Sequence, residues 1–253
     1  MQVNEMTHKT KITYEGHKLA KVNPGVKRLD LSARFTRVEI NSILKIQGLQ
    51  QLVNLKELNL EGNKISKIEG LDSLVTLKRL NLRDNRITKI EGLESLASLA
   101  DLNLECNRVT RIEGLDNQVN MNKLSFAMNM IGTIWDEDPL TALELWHARD
   151  LLEPEIREAS AVEGLYNLVN IRELNLSFNP IRKIGGLNTL ARLEILNLDC
   201  TGILKIEGLE MLGSLKSLSL EGNKITRIEE LDALENLEYL DLAENRGITT
   251  IEG

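Results

Sequence analysis

Side chains that commonly carry catalysis or bind metals are few and scattered in this chain of 253 residues. The histidines and cysteines are His8, His17, His147, Cys106 and Cys200. No GxxxxGK[ST] phosphate loop, HExxH zinc motif or serine elbow is present. The acidic run at residues 136–138 is interpreted as the start of a helix or strand. We therefore expect no catalytic activity, no cofactor and no metal site, and binding is the chemistry that remains.

A repeat of 22 residues dominates the sequence. Residues 55–71 read LKELNLEGNKISKIEGL, residues 77–93 read LKRLNLRDNRITKIEGL, and residues 99–115 read LADLNLECNRVTRIEGL. A constant period in the low twenties, carried by many positions, predicts a solenoid in which each repeat forms one turn.

The residue pattern of one repeat explains how that turn folds. Alternation in a short strand places Leu58 and Leu60 on one face and their neighbours on the other. Asn63 then turns the chain, and its amide can satisfy buried backbone groups. Ile65 and Ile68 point back inward, but one turn cannot bury them without neighbours. We expect stacked copies to form a ladder of Asn41, Asn63, Asn85, Asn107, Asn129, Asn179, Asn223 and Asn245.

The repeats predict one domain over residues 11–253, preceded by a disordered segment over residues 1–10. Residues 12–22 align with a repeat and are interpreted as a capping turn. Insertion loops are expected at about residues 32–40 and 146–160, where the spacing between repeats exceeds 22. Leu140, Leu143 and Leu145 still match LxxLxL, which favours a degenerate repeat, whereas Pro139 favours a helix over residues 139–152.

Composition narrows the function. The net charge of −7 argues against a general nucleic-acid binder. No apolar run reaches the length of a membrane span, and the first residues lack the apolar core of a signal peptide. We therefore expect a protein of the cytoplasm or the nucleus. No polar cap follows the last repeat, so either the native chain continues past Gly253 or this end docks, for example on a second copy as a homodimer.

The recurring KIEGL of residues 67–71 and 89–93, with RIEGL at residues 111–115, resembles the 22-residue class of leucine-rich repeats. This class occurs in a regulatory subunit of protein phosphatase 1, dynein-associated light chains, a spliceosomal protein and internalin-like adhesins. The resemblance implies an α/β solenoid: a right-handed superhelix with a concave parallel sheet of about 11 short strands and mostly 3₁₀ or extended segments on the convex side. It also implies a binding protein without catalysis.

Residues that flank the strand leucines should face the concave side and form the binding surface. In the first half of the chain these residues alternate in charge, which is consistent with a solvated, self-paired face. In the middle, exposed aromatic and apolar residues are typical of binding hot spots. The candidate partner-binding residues are Lys123, Met128, Trp146, Glu173, Phe178, Ile195 and Tyr239. For Trp146 the alternative is that its indole covers the core of its own repeat.

A basic stripe lies outside the sheet. Lys64, Arg86, Arg108 and Lys224 follow the asparagine, and three residues later come Lys67, Lys89, Arg111, Lys183, Lys205 and Arg227. Glutamates run beside it, so a solvated, ion-paired edge is the favoured interpretation and phosphate or nucleic-acid binding is the alternative.

The sequence thus predicts a protein-interaction scaffold, and by resemblance the partner is the catalytic subunit of a serine/threonine phosphatase of the protein phosphatase 1 type. A structural, ciliary or cytoskeletal adaptor and a ribonucleoprotein component are the alternatives.

Overall fold

The computed structural model describes residues 10–14, 17–33, 43–132 and 164–249. These residues form a solenoid with a single nine-stranded parallel sheet and a separate antiparallel hairpin. The strands are β1 (Thr10–Tyr14), β2 (His17–Val22), β3 (Arg28–Asp30), β4 (Glu57–Asn59), β5 (Arg79–Asn81), β6 (Asp101–Asn103), β7 (Lys123–Ser125), β8 (Glu173–Asn175), β9 (Ile195–Asn197), β10 (Ser217–Ser219) and β11 (Tyr239–Asp241).

Strand order in the sheet follows chain order from β3 to β11. Each central leucine is in register with the leucine of the next turn; Leu58 pairs with Leu80, and Leu80 pairs with Leu102. This alignment follows from the repeat, because turns of equal length place the same residue at the same height. The flanking residues of β3–β9 line a shallow depression of about 650 Å³ on the concave face.

The core consists of aliphatic layers that run the length of the stack. The strand leucines, such as Leu80 and Leu82, and the returning isoleucines, such as Ile87 and Ile90, are buried. On the turn that leads into each strand, Leu74 N donates to Leu71 O and Leu77 N donates to Leu74 O. These are isolated turns with bonds between residues three apart, and the described ranges contain no helix, so the expected 3₁₀ segments do not form continuous helices.

The glycine of the KIEGL motif permits close stacking of neighbouring turns. Gly92 has φ +67°, and a Cβ at this position would lie 2.4 Å from the carbonyl oxygen of Ile68 in the turn before. Both the left-handed backbone and the close approach require the absence of a side chain. The repeat of β10 differs, since Glu230 occupies the equivalent position with φ +59°.

One buried side chain differs in type from the residues at the same position in other repeats. Gln118 replaces the leucine that precedes each strand, such as Leu96, and it is fully buried. Its Nε2 donates to Leu93 O at 2.7 Å, an oxygen that already accepts from Leu96 N. Its Oε1 is buried without a hydrogen-bond partner among the described residues. A buried unsatisfied amide oxygen destabilises the folded state.

The N-terminal capping turn was predicted incorrectly. Residues 12–14 do not join the parallel sheet; β1 and β2 form an antiparallel hairpin in which Thr10 pairs with Val22. The sheet begins at β3 instead. β1 and β2 are close in sequence and pair with each other in antiparallel orientation, which successive turns of a 22-residue repeat would not do.

β7 pairs directly with β8, with Lys123 opposite Glu173. The degenerate repeat predicted around Leu143 lies outside the described residues. The sheet has nine strands in the described ranges instead of about 11. The alternative helix over residues 139–152, both insertion loops beyond Ala33 and the segment over residues 1–9 lie outside the described residues.

We expect Gly92→Ala to lower the free energy of unfolding by about 2 kcal/mol or more, because it adds a left-handed alanine and a clash with Ile68 O. Chemical denaturation followed by circular dichroism measures the change. Glu230→Gly is the opposite test at the equivalent position, and it should stabilise by about 0.5–1 kcal/mol. If both variants changed the free energy of unfolding in the same direction by the same amount, the requirement for glycine at the left-handed position would be contradicted.

We expect Gln118→Leu to stabilise the protein by about 1 kcal/mol, because it removes a buried unsatisfied oxygen and restores the leucine column. The midpoint of urea unfolding should rise. Leu96→Gln, the reverse change one turn earlier, should lower it. A lower midpoint for Gln118→Leu would show that the amide stabilises the fold.

Candidate protein-binding surface

The concave face is held in place by an asparagine ladder behind the sheet. Asn85 is typical: its Nδ2 donates to Leu60 O in the turn before and to Leu82 O in its own turn, both at 3.0 Å. Its Oδ1 accepts from Ile65 N at 3.0 Å. The same bonds occur at Asn63, Asn85, Asn107, Asn129, Asn179, Asn223 and Asn245, all buried. Asn41 lies outside the described residues.

The ladder is interrupted at Thr201. Its hydroxyl lies 2.7 Å from Leu198 O, but a threonine has no second polar atom to accept from the turn before. Ile181 N, which would meet an asparagine oxygen elsewhere, donates to Asn179 O instead. Arg182 adopts φ +62° next to it. A single substitution in the ladder therefore coincides with a locally different backbone.

A second ladder lies on the turns that lead into the strands. Thr76 Oγ1 donates to Val53 O at 3.0 Å, and Asn120, Asn170 and Asn236 bond in the same way to Ala97, Val119 and Gly213. Sequence reasoning missed these residues. The signal was present, since a small polar residue recurs at this position, but it is less regular than the main asparagine.

Ion pairs neutralise much of the concave face in the first half of the chain. Glu57 lies between Arg28 and Arg79 and pairs with both. In the next column Arg83 pairs with Glu61 and Glu105. Parallel neighbours of alternating sign produce this pattern, and each exposed pair contributes only about 0–1 kcal/mol.

Lys123 and Glu173, two candidate partner-binding residues, pair with each other. Lys123 Nζ lies 2.6 Å from Glu173 Oε1 across β7 and β8. The hydrogen bond to Glu173 raises the pKa of Lys123; desolvation opposes this, and the negative charges of Glu173 and Asp101 add to the increase. A partner that uses either charge must compete with this pair.

Met128 and Phe178 project from neighbouring turns just after β7 and β8. Both are about half exposed, at 54% and 47%, and both have a left-handed backbone, with φ +56° and +55°. Other repeats have Asp84 or Glu244 here, or Gly62 and Gly222, and only the glycines adopt this conformation without strain. A left-handed residue with a side chain costs about 1–2 kcal/mol, so two large exposed apolar side chains at this position need a reason outside folding.

The sulfur atoms of Cys106 and Met128 extend this apolar row. Cys106 Sγ lies 3.6 Å from Met128 Sδ, and Cys106 also has a left-handed backbone. Burial raises the pKa of the Cys106 thiol, with a smaller opposing effect of Arg83. The thiol is therefore a poor nucleophile at neutral pH, and it serves as an apolar neighbour.

Ile195 and Tyr239 add apolar surface on the strands themselves. Their side chains are 43% and 55% exposed on the concave face of β9 and β11. Tyr239 OH donates to Asp241 Oδ2 at 2.9 Å, and this bond, with the negative charges nearby, raises the pKa of the tyrosine. Since β7, β8 and β9 are neighbours, Met128, Phe178 and Ile195 share one region, whereas Tyr239 lies two strands further. Trp146 lies outside the described residues.

The basic stripe is ion-paired at Lys67, Lys89 and Lys183. Lys67 Nζ lies 3.7 Å from Glu91 Oε1, and each of the other pairs likewise links a lysine to a glutamate one turn later. The further pairs are Lys45–Glu69, Lys89–Glu113 and Lys183–Glu207. A lysine beside a glutamate presents little net charge to a phosphate backbone, which disfavours the nucleic-acid interpretation.

Within the described ranges, no group of three or more histidine, cysteine, aspartate or glutamate side chains could hold a metal ion. No helix in those ranges is long and apolar enough to cross a membrane.

The fold and this surface define a class: a solenoid with an open parallel sheet face. The sequence matches the leucine-rich repeat family over residues 35–162, and pairs of leucine-rich repeats over residues 169–211 and 214–253. The chain belongs to the leucine-rich repeat family. A comparison with functionally curated proteins found no match. Leucine-rich repeat proteins generally serve as protein-interaction scaffolds, and the fold is typically non-catalytic.

Solved structures show the same fold. Internalin C2 of Listeria monocytogenes has a TM-score of 0.65 and 23% identity, covering 88% of this chain and 84% of that one. The functional domain of InlJ from the same organism has a TM-score of 0.59 and 16% identity, covering 91% and 46%. TLR13 in its complex with ssRNA13 has a TM-score of 0.62 and 26% identity, covering 93% and 34%. The chain thus spans less than half of the last two proteins.

We expect Asn85→Ala to lower the free energy of unfolding by about 3 kcal/mol or more, since it leaves Ile65 N–H and two carbonyl oxygens buried without the amide. Thermal and urea unfolding measure the loss. Asn103→Ala is the matched control, because Asn103 is half exposed on the sheet face and its side chain accepts a hydrogen bond from Glu105 N alone among the described residues. Comparable losses in both variants would contradict the ladder's role.

Proposed function

We propose that this protein is a non-catalytic scaffold that binds a partner protein on its concave face. We further propose that the partner is the catalytic subunit of a serine/threonine phosphatase of the protein phosphatase 1 type. The resemblance of the KIEGL repeats supports the partner class. The binding surface is supported by the exposed apolar residues Met128, Phe178 and Ile195 on adjacent turns.

One observation carries the choice of surface. Met128 and Phe178 occupy a left-handed position that is glycine at Gly62 and Gly222 and carboxylate at Asp84 and Glu244, and a side chain there has a cost in folding free energy. Both side chains remain about half exposed, so the fold gains little from them. Exposed aromatic and methionine side chains are enriched at interfaces and at their hot spots. A partner that buries this surface would explain why the chain retains them.

Nucleic acid is a weaker candidate. TLR13 binds ssRNA13 in its solved complex, but in the present chain the net charge is −7 and the lysine edge is paired with glutamates. Affinity for nucleic acid depends on uncompensated cations. A structural or cytoskeletal adaptor and a homodimer are the alternatives. Because both would use the same fold, the identity of the bound protein distinguishes them from a phosphatase regulator.

The test uses the purified chain and a purified phosphatase catalytic subunit of this type in isothermal titration calorimetry. We expect a stable complex, and at least 30-fold weaker binding by the Met128→Asn/Phe178→Asn double variant, or about 2 kcal/mol. Asparagine tolerates the left-handed backbone, so the variant should fold. Leu204→Asn/Met211→Asn is the matched control, because these residues are equally exposed, at 55% and 58%, but lie outside the sheet.

Absence of binding by the unmodified chain would exclude the phosphatase partner. Equal loss in the two double variants would exclude the proposed surface. Light scattering against concentration tests self-association separately, with a constant mass excluding the homodimer.

A further inference from the structure

The concave face differs in charge between its two ends. On β4–β8 each of the glutamates Glu57, Glu105 and Glu173 pairs with a lysine or arginine on the neighbouring turn. Glu194, just before β9, pairs with Arg172 and Lys216. These contacts leave little net charge for a partner to recognise.

Three carboxylates on β9–β11 are not neutralised in this way. Asp199, Glu221 and Asp241 lie on or just after the last three strands, and none is in an ion pair within the described ranges. We call them the acidic strip. All three lie close enough to Tyr239 to affect its titration. The hydrogen bond to Asp241 raises the pKa of Tyr239 most, and the negative charges of Asp241, Asp199 and Glu221 raise it further.

Hydrogen bonds hold two of these carboxylates in fixed positions. Asp199 Oδ1 accepts from Ser219 Oγ at 2.6 Å and from Glu221 N at 2.9 Å, and its Oδ2 accepts from Asn197 Nδ2 at 2.9 Å. Asp241 Oδ1 accepts from Ala243 N at 2.9 Å. The negative charge is therefore presented in a defined pattern by a rigid sheet and not by mobile side chains alone.

Apolar side chains lie beside the strip on the same open sheet face. Ile195 is exposed on β9 and Tyr239 on β11, and Phe178 projects from the turn before. Aliphatic and aromatic surface next to unpaired carboxylates is complementary to side chains that combine an apolar stem with a positive charge. Arginine fits best, because it binds carboxylates in a bidentate manner and stacks on tyrosine rings.

We propose that the concave face of β9–β11 binds a basic segment of the partner protein, in which arginines or lysines stand next to aliphatic residues. This inference rests on the proposed function and names the chemistry of the segment that the scaffold recognises. Nucleic acid and anionic membranes are repelled by the same strip. Long-range attraction between opposite charges also speeds encounter with such a segment.

The probe is a fluorescein-labelled peptide of about ten residues with arginines and leucines between glycines and serines, long enough to cross three strands spaced about 4.8 Å apart. Fluorescence anisotropy measures its affinity for the full chain. The Asp199→Asn/Glu221→Gln/Asp241→Asn variant keeps one acceptor oxygen in each side chain and removes three charges. We expect it to bind the peptide at least about tenfold more weakly, with a smaller difference at high salt.

Asp72→Asn/Glu229→Gln/Glu235→Gln is the matched control, because it changes net charge equally at exposed residues outside the sheet. It should bind within about twofold of the unmodified chain. A peptide with citrulline in place of arginine should bind as weakly as the acidic-strip variant. Equal loss in both triple variants, equal binding of the citrulline peptide or no binding of the arginine peptide would overturn the inference.

The phosphatase titration separates this inference from the proposed function. If the catalytic subunit binds, and the Met128/Phe178 variant loses it while the acidic-strip variant binds normally, the proposed function stands and the basic segment is wrong. Suppose instead that the arginine peptide binds the control triple variant more tightly than the acidic-strip variant, but the catalytic subunit does not bind. The scaffold then recognises a basic segment, and the phosphatase partner is wrong.

Discussion

Each turn of this chain contains buried backbone groups that residues of the same turn cannot satisfy, and the next turn supplies their partners. Strand pairing satisfies one side, and the asparagine amide satisfies the corner behind it, as Asn85 does for Ile65 N and Leu60 O. Leaving such groups unpaired is costly, so the turns must stack in register. The leucine layers, the close approach of glycine to carbonyl and the continuous sheet face all follow from that requirement.

Stacking leaves the concave side chains without a role in the core, and this makes the sheet face available for binding. In β4–β8 these residues pair with each other, for example Arg79 with Glu57, and the face is nearly neutral. From β8 onward the pattern changes to exposed apolar groups such as Phe178 and Ile195, with carboxylates that have no cation in the described ranges. The two ends of one uniform scaffold therefore have different chemistry.

The position before the ladder asparagine shows how the repeat and the surface compete. The fold requires a left-handed residue there, which glycine provides without strain, yet Cys106, Met128, Phe178 and Cys200 occupy it on four consecutive strands in the sheet order. The result is a row of sulfur and aromatic groups along the edge of the concave face. Such strain is typical of positions kept for binding, since local preference alone would select glycine or aspartate.

The sequence by itself determined the period, the leucine register and the asparagine columns, because identical turns of 22 residues place identical residues at one height. It also placed Met128, Phe178, Ile195 and Tyr239 on the concave side, although their role in binding stays a prediction. Only the tertiary structure decided that β1 and β2 form a hairpin, that β7 pairs directly with β8, and that Gln118 is buried with an unpaired oxygen. Those outcomes depend on which strand lies beside which, and a local match such as LxxLxL carries no information about its neighbour in space. Which carboxylates have a cation is likewise set by contacts between turns.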